Sequence, residues 1–422
     1  MSDPLDVFLG GDRVGSLWLD PGRRFVFRYE ANWLARADAF PLSLALPLRV
    51  EAFADDQARP FFSNLLPESE LRRLIARRLG LSERNDFALL EAVGGECAGA
   101  VSLLSADVIP PAESAYRFLD ESELNALITD LAQRPMLAGE QGMRLSLAGT
   151  QNKLPVVYEE GRVGLPMGSA PSSHILKPPI AHYPDSVWNE CFCMRLASQV
   201  GLAVPPVMIL AASSPLYLVR RYDRENLSGV GLRRVHQEDF CQALGIAPDQ
   251  KYEREGGPGL RACFELLRRV SVQPVVDMKA MLEWVVFNYL IGNADAHGKN
   301  VSLLLTAQGP RLAPFYDLMS TAVYPGLSER MAMRVGGEDR PDWIIERRWR
   351  GFADEVGIGF KLLHQTLLGM KERVGAEARE LAADLRAEHG EHDVIDQIVA
   401  LVERRGSKVM KSLAAGTGGR EG

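Results

Sequence analysis

At 422 residues the chain is long enough for two or three folded units that bury their own cores, which excludes a miniature scaffold needing disulfides or a structural metal. Its 46% hydrophobic and 24% charged residues exclude an unfolded chain, and 55 Asp plus Glu against 48 Lys plus Arg, a formal net charge of -7, give no global attraction to nucleic acid. Five scattered cysteines without a C-x-x-C pair exclude a disulfide framework or zinc ribbon and point to the cytoplasm, while no secretory signal opens the chain and no stretch offers about 18 uninterrupted apolar residues for a membrane span.

The first hundred residues mix short strand-like runs, at 7–9 and 25–29, with a helix in which Leu71, Leu74, Ile75 and Leu79 recur at helical spacing. Arg72, Arg73, Arg77 and Arg78 share its other side. In so acidic a chain they read as a solvated helix face before they read as a nucleic-acid contact. Two adjacent prolines interrupt the pattern over 107–114 and mark a domain boundary.

From 143 to 222, β-rich runs at 154–158, 174–177 and 216–219 alternate with Gly, Pro and Ser turns, the pattern of a small antiparallel sheet. One helix interrupts it at 187–200, with Asp185 or Ser186 available as its N-cap. Beyond Arg224 the spacing predicts helices over 237–244, 259–270, 277–291, 354–374, 376–389 and 393–413. The glycine-rich residues 414–422 read as a frayed tail.

The chemistry concentrates in Gly292-Asn293-Ala294-Asp295-Ala296-His297-Gly298-Lys299-Asn300, which follows a long apolar helix and precedes a β-rich run, a turn at 308–310 and Pro314-Phe315-Tyr316-Asp317. Protein kinases place a catalytic Asp five residues before an Asn and a metal-binding Asp beyond the next strand pair. Asp295, Asn300 and Asp317 reproduce that order. Phosphoryl transfer needs a carboxylate to take the acceptor proton, and an amide oxygen with a second carboxylate to hold hard Mg²⁺ ions. Alone, Asp295 and Asn300 would describe no more than a capped turn. A turn, however, gives no reason for the preceding helix or the following Asp317. His297 has no second His at i+4, so it reads as a loop-shaping residue near the nucleotide and not as a ligand.

Lys177 ends an apolar run before Pro178 and Pro179, and Glu190 lies in the next helix, the order of the strand-Lys and helix-Glu pair that positions ATP phosphates in kinases. A snorkelling Lys and an exposed Glu explain the same residues where the downstream motif is ignored. Neither glycine-rich nucleotide motif is present. The segment from Arg144 to Lys153 offers instead the small residues Ala148 and Gly149 and the charge of Lys153, which suit phosphates but also suit a plain β-turn.

Taken together, these residues resemble the HipA family of bacterial serine/threonine kinases, the toxin halves of toxin–antitoxin modules. The likeness extends to Phe61-Phe62-Ser63-Asn64-Leu65-Leu66-Pro67, Gly94-Gly95-Glu96-Cys97-Ala98-Gly99-Ala100-Val101, His174-Ile175-Leu176-Lys177, Tyr217 to Arg224, His236 to Gln242, and Lys251-Tyr252-Glu253 before Gly256-Gly257-Pro258-Gly259. It implies an α+β, two-lobed, protein-kinase-like fold with ATP between the lobes. The expected divisions are an N-terminal subdomain at 1–106, a small ATP-binding lobe at 107–222, a helical catalytic lobe at 223–413 and a tail at 414–422.

By the same resemblance Ala148, Gly149, Thr150, Gln151, Asn152 and Lys153 form the phosphate loop, Lys177 holds phosphates, and Arg220, Arg221 and Tyr222 form the hinge beside adenine. Asp295 is the catalytic base. His297, Gly298, Lys299, Asn300, Tyr316 and Asp317 complete the nucleotide site, with Asn300 and Asp317 on Mg²⁺. Ser146 matches a serine whose autophosphorylation displaces the phosphate loop, since a phosphate of charge near -2 repels those of ATP. A HipB-type helix-turn-helix antitoxin is the implied partner, with DNA reached only through it. A translation component such as an aminoacyl-tRNA synthetase is the implied substrate. Two positions depart from the family pattern: Arg220 stands where Glu is frequent, and Asn152 where an acidic residue is usual. A pseudokinase that only binds antitoxin, and a small-molecule kinase on the same fold, are the alternative functions.

Overall fold

Alternation of buried and half-buried residues builds the first sheet of the computed structural model. Leu5, Val7 and Leu9 of β1 (Leu5–Leu9) point inward, as do Phe25, Phe27 and Tyr29 of β3 (Phe25–Tyr29). With β2 (Asp12–Leu19) and β4 (Val101–Ser105) they form an antiparallel sheet in the order β3-β2-β1-β4. Helices Asp55–Ser63, Ser69–Arg78 and Asp86–Val93 follow in this segment, and the Phe27 ring lies 4.9 Å from Tyr29 and 5.4 Å from Phe62. Arg73, Arg77 and Arg78 occupy the solvated face expected of them. Arg72 does not: its guanidinium pairs with the carboxylate of Asp86, and its side chain is only 17% exposed.

The structure describes residues 3–105, 115–131, 135–139, 144–227 and 231–417, with side chains to 414, so the boundary expected over 107–114 lies outside the described residues. Met1–Pro178, Leu210–Asp249 and Leu303–Pro310 form one compact unit, and Pro179–Ile209, Gln250–Ser302 and Arg311–Gly422 the other. The first unit therefore holds both the N-terminal sheet and a second antiparallel sheet. In the latter, β5 (Ala115–Phe118), β6 (Leu154–Glu159), β7 (Arg162–Met167), β8 (His174–Lys177) and the strand Leu216–Arg220 run in the order β5-β7-β6-β8 followed by Leu216–Arg220. The β6–β7 turn is Glu160-Gly161, both at positive φ, the two-residue geometry whose twist matches that of the strands it joins. One continuous apolar core runs from Leu5 and Phe27 through Leu154 and Leu176 to Leu218.

Residues 237–244, expected to be helical, begin instead as a strand, His236–Asp239, before a single helical turn, Phe240–Ala243, that Asp239 and Gln242 close with a reciprocal capping box. The strand conformation turns His236 and Glu238 toward the segment at 42–44. His236 Nε2 lies 2.8 Å from the Leu42 carbonyl, Leu44 N–H donates to Glu238 Oε1 at 3.0 Å, and Ser43 Oγ lies 2.5 Å from Oε2.

Burial pushes the Glu238 carboxyl up to about 8, outweighing the lowering effect of the Ser43 and Leu44 hydrogen bonds. The folded state thus keeps a proton that the unfolded chain, with its ordinary value of 4.5, releases. The stability this contributes is complete below about 4.5 and is lost as pH rises through about 8. His236 and His174, both lowered to about 4 chiefly by burial, act in the opposite sense and only below their ordinary value of 6.5. The melting midpoint is therefore expected to fall by a few degrees between pH 7 and 9, and Glu238→Gln to flatten that slope. Thermal melts across the range check it, and an unchanged slope in the variant would remove Glu238 as the titrating group.

In the second unit, every residue from Trp284 to Ile291 of the helix Pro274–Ile291 is buried, the signature of a central helix. Helices Leu260–Val270, Phe360–His389 and Asp393–Thr417 pack against it, and Phe360–His389 also meets Ser186–Gln199. The patterns expected at 354–374 and 376–389 are divided elsewhere: Glu346–Val356 stops at left-handed Gly357 (φ 66), and Phe360–His389 is a single helix that joins most of the first to the second. Gly375 does not break it, because Met370, Val374, Ala378 and Leu381 bury one face, and burial outweighs the cost of about 1 kcal/mol for an interior Gly. The helix Asp393–Thr417 enters the stretch expected as a tail, and 418–422 lie outside the described residues. At the start of Ser186–Gln199, Asp185 takes the N-cap place at φ 54, but no side chain caps the helix.

Candidate active site

Gly292 ends the central helix in the left-handed region, φ 76, and a Cβ there would stand 2.5 Å from Leu401 Cδ2 and 3.0 Å from Ala322 Cβ. Glycine thus fixes where the helix stops and the loop begins. Asparagines then hold the loop. Asn293 Nδ2 donates to Asn288 Oδ1 at 2.8 Å, its own Oδ1 accepts the Asp295 N–H at 3.0 Å, and Asn300 Nδ2 donates to the Asp295 carbonyl at 2.9 Å. His297 N–H also donates to the Asp295 carbonyl, and Gly298–Asn300 closes a 3₁₀ turn.

These bonds hold the Asp295 backbone on both sides and leave its side chain half exposed. The Tyr252 hydroxyl donates to Asp295 Oδ1 at 2.5 Å, and His297 Nε2 lies 4.0 Å from the same oxygen. Asn300 spends its amide nitrogen on the Asp295 carbonyl, so its Oδ1 is left as an acceptor. Tyr316 Oη donates to the Lys299 carbonyl at 2.7 Å and shares a hydrogen bond with Ser302 Oγ. Asp317 follows at φ 59, a strained conformation for a residue with a side chain. Asn189 bonds Ser320 twice, through both its amide nitrogen and oxygen, and Phe315 N–H donates to the Ala203 carbonyl, so the segment carrying Asp317 is fixed at both ends. Asp277 binds Arg311 through both carboxylate oxygens and accepts the Leu312 N–H, anchoring the chain just before it. Asp295, His297, Lys299, Asn300 and Tyr316 therefore belong to one bonded cluster, and Glu190 is buried in the helix Ser186–Gln199 of the same unit.

The remaining expected site residues lie in the first unit. Lys177 is the last residue of β8, buried, with Nζ 5.6 Å over the Tyr217 ring. Gly149 adopts φ 112, and Lys153 Nζ folds back to the Ala148 carbonyl at 2.7 Å. Asn152 Nδ2 donates to the Leu131 carbonyl, which gives this amide an anchoring role that a carboxylate could not fill. Thr150 and Gln151 complete the bend between Gly149 and β6.

The N-terminal segment ties this loop to the segment at 221–224 through Glu96. Its backbone bonds Arg144 and Ser146, while its carboxylate receives Ser172, Arg221 and Arg224. Arg221 also clamps Asp223 through two hydrogen bonds, at 2.9 and 2.7 Å, and its N–H goes to the Ser173 carbonyl. The guanidinium of Arg221 is thus committed to buried partners within this unit. Burial pushes the Glu96 carboxyl up, yet the fields of Arg234, Arg224 and Arg221 prevail and bring it to about 2. Removing one member would strand buried charges. Arg220 is exposed and repels a proton from His174, with which it pairs across β8, while the Tyr222 hydroxyl bonds Gln237. Ser146 is fully buried, its Oγ donating to the Leu65 carbonyl at 2.7 Å.

Sequence reasoning assigned no role to Tyr252 or Glu96. Both stood in stretches that carried the family likeness, Lys251-Tyr252-Glu253 and Gly94-Gly95-Glu96-Cys97, and that was the available signal.

Comparison with known proteins places these features in a family. Residues 5–104 match the HipA N-terminal domain and residues 145–388 the HipA-like C-terminal domain. Y4mE of Sinorhizobium fredii, which carries the name of a kinase, is 43% identical over 90% of this chain and 92% of its own. The serine/threonine-protein kinase toxin HipA of Shewanella oneidensis is 34% identical over 88% of this chain and 87% of its own. The solved structure of that organism's HipA with HipB and operator DNA has a TM-score of 0.83 at 30% identity, covering 97% of this chain and 98% of that one. No helix among the described residues is long and apolar enough to cross a membrane. The chain belongs to the HipA family, and its activity is that of a serine/threonine-protein kinase.

Proposed function

We propose that the chain is the growth-inhibiting toxin of a toxin–antitoxin module, transferring the γ-phosphoryl of Mg²⁺-bound ATP to protein serine or threonine. The observation that carries this is the bonded cluster around Asp295, in which the backbone is locked while the carboxylate stays accessible. Asp295 takes the acceptor hydroxyl proton as that oxygen bonds to the γ-phosphorus and the bond to the ADP oxygen breaks. Kinase chemistry requires ATP, and the donors present suit Mg²⁺: the Asn300 amide, its nitrogen on the Asp295 carbonyl, offers an oxygen, and Asp317 supplies a carboxylate. The metal would neutralise phosphate charge. Lys177 would hold the phosphates, with Glu190 as its ion-pair partner. The loop Ala148 to Lys153 would cover the phosphates, and Arg220, Arg221 and Tyr222 would flank adenine through backbone atoms. Comparison with the HipA–HipB–DNA structure supports a HipB-type antitoxin as partner, with DNA contacted through it, and an aminoacyl-tRNA synthetase is the proposed acceptor.

Ser146 is the proposed autophosphorylation site. Its buried hydroxyl has room for neither a phosphate nor the charge near -2 that a phosphate brings, so its modification would expel the loop from the contacts with Leu65 and Glu96. Incubation with Mg²⁺ and labelled ATP should label the chain, and Ser146→Ala should reduce labelling by about tenfold or more. Undiminished labelling of Ser146→Ala would place the phosphate elsewhere, and an inert wild-type chain would contradict the kinase reading of this site.

A further inference from the structure

We infer that Tyr252 is the positioning residue of the base, its hydroxyl holding Asp295 Oδ1 so that Oδ2 faces the acceptor hydroxyl. The inference rests on Asp295 being the base. Two side chains approach the Asp295 carboxylate among the described residues, the Tyr252 hydroxyl at 2.5 Å and His297 Nε2 at 4.0 Å, and only the first is within hydrogen-bond reach. Asn293 and Asn300 fix the backbone of Asp295, not its carboxylate. A half-exposed Asp side chain without a partner would spread over its rotamers, and a general base must meet its proton in one geometry.

Tyr252 is itself held in place. Its ring stands edge-on to His297 at 5.1 Å between centroids, and Lys251 Nζ and Arg254 Cζ lie 5.5 and 4.9 Å from the ring centroid. Gly257 N–H donates to the Tyr252 carbonyl at 2.9 Å, and a side chain at Gly257 would collide with the Gln250 carbonyl, which accounts for the glycine there. Glu253, the next residue, accepts the Arg334 N–H, and Gly298 N–H reaches the Lys251 carbonyl, linking this turn directly to the catalytic loop. Burial, reinforced by the charge of Asp295, drives the phenol well above its ordinary range, so it stays protonated and has a proton to donate to the carboxylate. One donor on one oxygen leaves the other free to accept, as an acceptor hydroxyl requires.

Tyr252→Phe deletes the hydroxyl and keeps the ring with all its neighbours. The experiment is single-turnover labelling of the chain from γ-labelled ATP with Mg²⁺, with the half-saturating ATP concentration and the melting temperature measured alongside. The expected result is a rate lower by about ten- to a hundredfold, the worth of a hydrogen bond to a charged group, with half-saturating ATP and melting temperature unchanged. A rate within twofold of wild type, or a faster one, would overturn the inference. So would a loss that appears only as a raised half-saturating ATP or a lowered melting temperature. Asp295→Asn run in parallel separates the two claims. If it is inert while Tyr252→Phe is unaffected, only the role of Tyr252 falls; if it labels like wild type, the base assignment falls and takes the inference with it.

Discussion

Asp295→Asn is expected to lower phosphoryl transfer by about 10²–10⁴-fold while leaving the fold intact, because a positioned base contributes on that scale. The Asp295 N–H donates to Asn293 Oδ1 and its carbonyl accepts from Asn300 Nδ2 and the His297 N–H; none of these bonds involves the carboxylate, and they survive the change. Asparagine also keeps an oxygen for the Tyr252 hydroxyl, so neither the loop nor its orientation is lost. What disappears is the ability to take a proton. Labelled-ATP transfer together with a thermal melt tests this, and transfer within tenfold of wild type would remove Asp295 as the base.

Asp317→Asn carries the second large effect, a loss of about 10²–10³-fold at low Mg²⁺, the scale seen when one electrostatic contact to the transition state is removed. Asn accepts a left-handed backbone about as readily as Asp, so the φ of 59 is retained and only the charge is deleted. The bonds of Asn189 to Ser320 and of Phe315 to Ala203 hold the segment in either form. Raising Mg²⁺ should restore part of the activity in this variant, whereas Asp295→Asn should not respond. A Mg²⁺ titration of both variants distinguishes these outcomes, and equal responses would deny Asp317 a role on the metal.

Much of this architecture was legible in the sequence where local pattern and tertiary demand agree. β3 and β8 came directly from apolar runs, and the central helix from its length and apolar character. Errors arose where packing overrides local preference. Gly375 reads as a break, yet burial of one face carries the helix through it, and 237–244 looked helical because the partner segment that draws His236 and Glu238 into a strand lies nearly two hundred residues away. At the site, order along the chain pointed to Asp295, Asn300 and Asp317, because kinase chemistry fixes residue types at short spacings. The contact of Tyr252 with Asp295 spans more than forty residues, and that of Glu96 with Arg221 and Arg224 more than a hundred. No periodicity encodes such pairs, and they become visible only once the chain is folded. The side-chain partners of Arg221 are equally invisible in the sequence: its guanidinium is committed to Asp223 and Glu96.

We propose that Asp295, Asn300 and Asp317 act on one Mg²⁺-bound triphosphate whose phosphates Lys177 holds. A crystal structure with Mg²⁺ and a non-hydrolysable ATP analogue tests it most directly. The expected result is Lys177 Nζ on a phosphate oxygen, Asn300 Oδ1 and Asp317 on the metal, and an Asp295 oxygen facing the γ-phosphate. Nucleotide bound with Lys177 turned away, or metal held by neither Asn300 nor Asp317, would contradict it.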